Sequence, residues 1–191
     1  MQGTEISEQA STISAALGKK SLVLVGLMGA GKTTIGKRLA TRLGINFVDA
    51  DAEIEKAAGS TIADIFKDFG ETHFREGERR VIARLLDEGP QVLATGGGAF
   101  MDPDTRAAIA DKGISIWLKA DLDVLMKRVM RRTHRPLLQT ENPEAVMRGL
   151  IDTRYPTYAQ AALTIISKEG PHDAVVDDIE EALLALLPVS R

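Results

Sequence analysis

The segment Gly26-Leu27-Met28-Gly29-Ala30-Gly31-Lys32-Thr33 constrains this chain more than any other. It satisfies G-x-x-x-x-G-K-[ST] in full. It lies between an apolar run, Ser21 to Val25, and a stretch with Ile35, Leu39 and Leu43 at helical spacing. Gly29 and Gly31 let the backbone curl until its N–H groups converge on phosphate oxygens. The helix that starts near Lys32 adds the positive end of its dipole. Lys32 supplies a full charge at the β- and γ-phosphates, and the Thr33 hydroxyl is a ligand for Mg²⁺. A strand, a phosphate loop and a helix in this order imply an α/β fold that binds a nucleoside triphosphate.

The remaining pattern extends that unit. Short apolar runs at Phe47-Val48, Gln91 to Thr95, Ile114 to Leu118 and Leu163 to Ile166 alternate with helical stretches. Ile54 to Glu88 reads as helices broken near Gly59-Ser60 and Gly70. Further helices are expected over Pro103 to Lys112, Asp121 to about Met130, up to about Ala161, and Asp173 to Leu187. Five strands alternating with helices predict a parallel sheet covered on both faces, a three-layer α/β/α domain. Residues 1–20 are polar and small, and are expected to form a flexible arm outside the core, with at most a helical turn or two around Ile13 to Leu17. Residues 21–191 then form a single domain. Arg131 to Pro143 reads as a loop.

Further chemistry clusters at the expected carboxyl ends of strands, where open parallel sheets bind ligands. Asp49 and Asp51 stand two apart after the second strand, and share a face if the strand continues. One could hold hydrated Mg²⁺ while the other accepts a hydroxyl proton. The alternative is that Asp51 only caps the following helix. The third strand carries no acidic residue, which leaves Asp49 as the acidic metal partner. Three glycines, Gly96, Gly97 and Gly98, follow that strand and suggest close approach of backbone to ligand, or simply a flexible turn. Arg75 could present its fork to a substrate carboxylate or pair with Glu71 or Glu78 on the surface. Arg154 lies on a helix interrupted by Pro156. The basic run Lys127 to Arg135 reads as a nucleic-acid patch, a solvated helix end or a mobile lid over the nucleotide. His73, His134 and His172 have no metal-ligand spacing and are expected to be surface or packing residues.

Composition narrows the function classes. The chain has 191 residues, a net charge of −3 and no cysteine. Zinc-thiolate sites, disulfides and cysteine nucleophiles are excluded, and a reducing, cytoplasmic setting is expected. An acidic chain without aromatics in its basic run is a poor grip for nucleic acid. No apolar run approaches the ~20 residues a membrane-spanning helix needs. A guanine-specific switch would carry N-K-x-D, which does not occur. Asp51 suits a polyol hydroxyl, and two arginines suit a carboxylate, so a small hydroxylated acid is the expected phosphoryl acceptor. A gluconate kinase-like enzyme is the main alternative.

The segments GLMGAGKTTIGKRLA, FVDADAEIE, IFKDFGETHFREGE, LATGGGA, RPLL and RYPTYAQAA resemble, in order, those of the shikimate kinase family. The resemblance runs from about Ser21 to Ile166. It implies a P-loop kinase fold of the nucleoside-monophosphate-kinase type, with a lid at about 131–143 and a substrate-binding helical region. It implies ATP-dependent phosphorylation of the 3-hydroxyl of shikimate, on the route to chorismate and aromatic amino acids. Carried over, Gly29, Ala30, Gly31, Lys32, Thr33 and Thr34 bind ATP, and Thr33 and Asp49 hold Mg²⁺, the latter through water. Asp51 binds the shikimate hydroxyls and acts as base. Arg75 and Arg154 hold the carboxylate, Gly96 to Gly98 line the acceptor, and Arg135 is the lid arginine over the phosphates. Lys32, Asp51 and Arg135 are thus the expected catalytic residues. Shikimate and ATP are the expected partners of a monomer that binds neither nucleic acid nor membrane.

Overall fold

The computed structural model describes residues 7–131 and 140–188. Five parallel strands form one sheet: β1 (Ser21–Val25), β2 (Asn46–Asp49), β3 (Gln91–Ala94), β4 (Gly113–Lys119) and β5 (Leu163–Ile166), in the order β2-β3-β1-β4-β5. β1 is buried along its whole length and is hydrogen-bonded on both sides, with Leu24 opposite Ala94 and Val25 opposite Trp117. Its unbroken SLVLV run is what a central parallel strand requires, since both faces meet helices. All five strands fall where the apolar runs place them.

The helices are α1 (Glu8–Leu17), α2 (Lys32–Leu43), α3 (Ala50–Ala58), α4 (Ile62–Asp87), α5 (Pro103–Lys112), α6 (Leu122–Met130), α7 (Pro143–Tyr158) and α8 (His172–Leu186). A short 3₁₀ turn, Ala99–Met101, follows the glycine triplet. α2 buries Ile35, Gly36, Leu39, Ala40 and Leu43 against the sheet. Gly36 permits this close packing, because a Cβ there would lie 2.6 Å from Phe47 Cε2 and 3.0 Å from Leu24 Cδ1. α4 is continuous except at Gly70, whose φ of 80° and ψ of 175° separate an eight-residue arm from the long half carrying Arg75 and Glu78. The helix breaks expected at Gly59 and Gly70 are therefore both present. α7 is not cut by Pro156, which sits in its last turn. No helix among the described residues is long and apolar enough to cross a membrane.

The expected flexible arm is corrected. α1 is a ten-residue helix capped by Ser7, whose hydroxyl accepts from the Ala10 N–H at 3.2 Å. Ala10, Ile13 and Leu17 fall on one face and are buried with α8 and α2, and belong to the same core as the sheet. Ser14 Oγ donates to Leu43 O at 2.7 Å, satisfying a carbonyl that the end of α2 leaves open.

Candidate active site

The carboxyl ends of β1, β2 and β3 open into one cavity of about 660 Å³, within the usual range for small-ligand sites. The loop after β1 turns through Gly29 and Gly31, at φ 84° and 97°, conformations closed to ordinary side chains. Lys32 Nζ donates to Gly26 O at 2.7 Å and Leu27 O at 3.0 Å, which holds the ammonium over its own loop. Thr33 and Thr34 line the cavity beside it.

Arg128 of α6 braces this loop from outside. Its guanidinium donates to Gly29 O at 3.2 Å, Ala30 O at 3.3 Å, Ser167 Oγ at 2.9 Å and Lys168 O at 2.6 Å. Ser167 Oγ in turn donates to Ala30 O at 2.8 Å. These bonds occupy carbonyls, the loop groups that would repel a phosphate.

At the end of β2 the two aspartates part company. The strand stops at Asp49, and Asp51 lies in the first turn of α3. Asp49 Oδ1 accepts from the N–H groups of Asp51, at 3.0 Å, and Ala52, at 3.4 Å. The helix cap is thus Asp49, and the suggestion that Asp51 is merely a cap is set aside. Asp51 faces the cavity instead. Burial, followed by the nearby charge of Asp49, raises its pKa above the ordinary carboxylate value, while Lys32 and Arg75 oppose the rise. The cause is the cost of stripping water from the ionised carboxylate.

The glycine triplet forms a floor on which the charged groups rest. A Cβ on Gly96 would lie 2.9 Å from Asp51 Oδ1 and 3.3 Å from Glu78 Oε1. On Gly97 it would lie 2.9 Å from Arg154 Nη1, and on Gly98 it would run into the guanidinium of Arg75. Each glycine therefore admits a different side chain. Arg75 donates to Glu78 Oε2 at 2.7 Å and also faces Glu71 at 3.4 Å. Glu78 is buried; burial raises its pKa and the Arg75 contact offsets part of that rise. No carboxylate among the described residues pairs with Arg154. Thr95 fixes the floor to β1, the strand that leads into the phosphate loop, since its hydroxyl and its N–H both donate to Leu24 O, at 2.9 and 3.2 Å.

Residues 28–184 match the shikimate kinase family model. The chain belongs to the shikimate kinase family. It is 60% identical over 183 residues to a shikimate kinase of Bradyrhizobium diazoefficiens, covering 96% of this chain and 88% of that protein. A shikimate kinase from Acinetobacter baumannii, solved in complex with shikimate, superposes with a TM-score of 0.84 at 39% identity, covering 91% of this chain and 98% of the other. A gluconokinase from Sinorhizobium meliloti reaches a TM-score of 0.55 at 18% identity over 88% of this chain and 94% of its own, a likeness of fold alone.

The residues singled out in the sequence are distributed accordingly. Gly29, Gly31, Lys32, Thr33 and Thr34 of the phosphate loop line one cavity with Asp49, Asp51, Arg75, Gly96 to Gly98 and Arg154, whereas Ala30 is buried in the core behind the loop. Arg135 lies outside the described residues, as does most of the expected lid. Four further residues escaped sequence reasoning. Arg128 is one of several cations in a basic run, and only its contacts single it out. Ser167 follows β5 with no motif around it. His172, expected to be a surface or packing residue, lines the cavity at the first residue of α8. Burial and then the charge of Arg128 lower its pKa below the ordinary imidazole value. Tyr158 is buried, and its hydroxyl donates to Gly97 O.

Thr33 and Asp49 suit a hard cation. Asp49 spends one carboxylate oxygen on the α3 cap, and Thr33 lines the same cavity from the first turn of α2. No cluster of three or more acidic or histidine ligands occurs among the described residues. Mg²⁺ needs none where phosphates and water complete its octahedron.

Proposed function

We infer that this chain transfers the γ-phosphoryl group of ATP to the 3-hydroxyl of shikimate, giving ADP and shikimate 3-phosphate. The observation that carries the reading is the pairing, on one glycine floor, of the half-buried carboxylate of Asp51 with Arg154, which no carboxylate among the described residues pairs, both lining the cavity beside the phosphate loop. Backbone N–H groups of Gly29 to Thr34 and the Lys32 ammonium hold the β- and γ-phosphates and take up the charge that develops between them. Arg154, seconded by Arg75, holds the acceptor's carboxylate. That anchoring presents a ring hydroxyl to Asp51, which orients it and accepts its proton as the new P–O bond forms. Mg²⁺, held by Thr33 and through water by Asp49, would supply charge neutralisation at the phosphates. Arg135 is assigned the phosphate contact from the lid on the family pattern.

A gluconate-type acceptor shares the hydroxyl and the carboxylate but not the compact ring, and only fold-level likeness supports it. ADP release measured with shikimate, with D-gluconate and with neither separates the readings. Shikimate-dependent ADP release with a phosphomonoester product seen by ³¹P NMR is the expected result. Turnover with gluconate alone, or with no acceptor, would overturn it.

A further inference from the structure

Arg75 and Arg154 are both assigned to the acceptor's carboxylate, but they are held differently. Arg75 is fixed by Glu78. Arg154 has no such carboxylate among the described residues, and a long cationic side chain not held by an ion pair costs ordering entropy on binding. Tyr158 lies one turn further along α7, the i,i+4 position that shares a helix face with Arg154. Its ring is 1% exposed, wedged beside Trp117 and Phe100 at centroid distances of 5.9 and 6.5 Å. The phenol donates to Gly97 O, and the Cβ position of Gly97 lies 2.9 Å from Arg154 Nη1 and 3.8 Å from Tyr158 Oη. A guanidinium can only donate, and the phenol's one proton is spent on Gly97. The phenol oxygen therefore faces the guanidinium as an acceptor.

We propose that Tyr158 is a positioning residue for the acceptor's carboxylate, its hydroxyl fastening Arg154 to the Gly97 carbonyl so that the guanidinium fork is set before the substrate arrives. The proposal rests on the reading of the acceptor as a carboxylate held by Arg154. Burial raises the phenol's pKa, partly offset by Arg154, so the hydroxyl keeps its proton and its donor role through the neutral range. Tyr155 provides an internal control. Its hydroxyl also donates to a backbone carbonyl, Ala120 O, and its ring packs edge-on to Trp117 at 4.8 Å. It therefore carries a partly buried phenol, bonded to a carbonyl in the same way, that has no part in the glycine floor.

Tyr158→Phe and Tyr155→Phe each delete one hydroxyl and keep the ring. Both should fold, with similar small losses in Tm. Steady-state kinetics should show KM for shikimate raised roughly tenfold in Tyr158→Phe alone, with KM for ATP and kcat changed less than about threefold. In an Arg154→Ala background the same change should add nothing, because the partner it positions is gone. An unchanged KM for shikimate in folded Tyr158→Phe overturns the proposal. So does an equal KM shift in both tyrosine variants, or full additivity with Arg154→Ala. Absence of shikimate-dependent turnover in the wild type would instead sink the acceptor reading, and the proposal with it.

Discussion

Ile13→Ala tests whether the N-terminal helix belongs to the fold. Ile13 is 0% exposed, as is Ala10, and Leu17 is 2% exposed. All three pack in the core shared with Val176, Ile179 and Leu183 of α8. Truncating a fully buried isoleucine to alanine costs about 2–5 kcal/mol, because transfer free energy is lost and the cavity closes only in part. Taking about 3 kcal/mol, and about 3 °C per kcal/mol for a chain of this size, Tm should fall by about 9 °C. Ser11→Ala, exposed on the opposite face, should change stability by less than about 0.5 kcal/mol. Catalysis should survive. α1 meets the far end of α2 through the Ser14–Leu43 bond, about 16 Å along the helix from Lys32. Kinetics at 25 °C should therefore match wild type. The measurement is thermal denaturation of both variants by circular dichroism. A fall below about 2 °C in Ile13→Ala would refute docking of α1 and restore a free arm.

Three changes probe the site. Asp51→Asn should lower kcat by roughly 10²–10⁴, since an amide cannot accept the hydroxyl proton. The same variant should have a higher Tm than wild type at pH 7, because the raised pKa of Asp51 means that its ionised form costs stability above that pKa. The gain should shrink as the pH falls through the raised pKa and vanish below the ordinary carboxylate value; a lower Tm at pH 7 would contradict it. Lys32→Met should lower kcat about 10²–10³ in a folded protein, and near-normal turnover would exclude Lys32 from the phosphate contact. Gly98→Ala meets only the flexible end of Arg75 and has an ordinary φ of −95°, so it should fold and raise KM for shikimate roughly tenfold, read from initial rates.

The local segments were legible because each carries its own rule. SLVLV reads as a buried strand, the glycines and lysine after it as a phosphate loop, and Ile35, Leu39 and Leu43 as the inner face of a helix. What escaped depends on distant partners. α1 has apolar residues at Ala10, Ile13 and Leu17, but three such residues among serines and threonines look like a polar arm until α8 is seen against them. In Asp49-Ala50-Asp51 either aspartate satisfies the rule for a helix cap. Only the position where β2 ends decides that Asp49 takes the backbone and Asp51 is left facing the cavity. Arg128 shares a basic helix end with Lys127 and Arg131, and nothing in its immediate neighbours says that it alone reaches the phosphate loop and Ser167.

Charge pairing then explains why a hydroxylated acid suits the acceptor end better than a nucleotide would. Glu78 balances Arg75 and keeps it in place, so that Arg75 contributes geometry with little net attraction. Arg154 remains a cation that no carboxylate among the described residues pairs, and Asp51 the carboxylate that burial makes costly to ionise. An incoming carboxylate relieves the first. A hydroxyl donating to Asp51 relieves the second, because a hydrogen bond to the charged form replaces some of the lost water. A ligand with only one of the two groups leaves a half-buried charge unmatched, and a phosphate brings more negative charge than one arginine can neutralise. Gly96, Gly97 and Gly98 make the arrangement possible by leaving room for Asp51, Arg154 and Arg75 in turn. Three consecutive residues without side chains thus place an acid and two cations along one short stretch of backbone, the set of charges that a molecule bearing both a hydroxyl and a carboxylate can satisfy together.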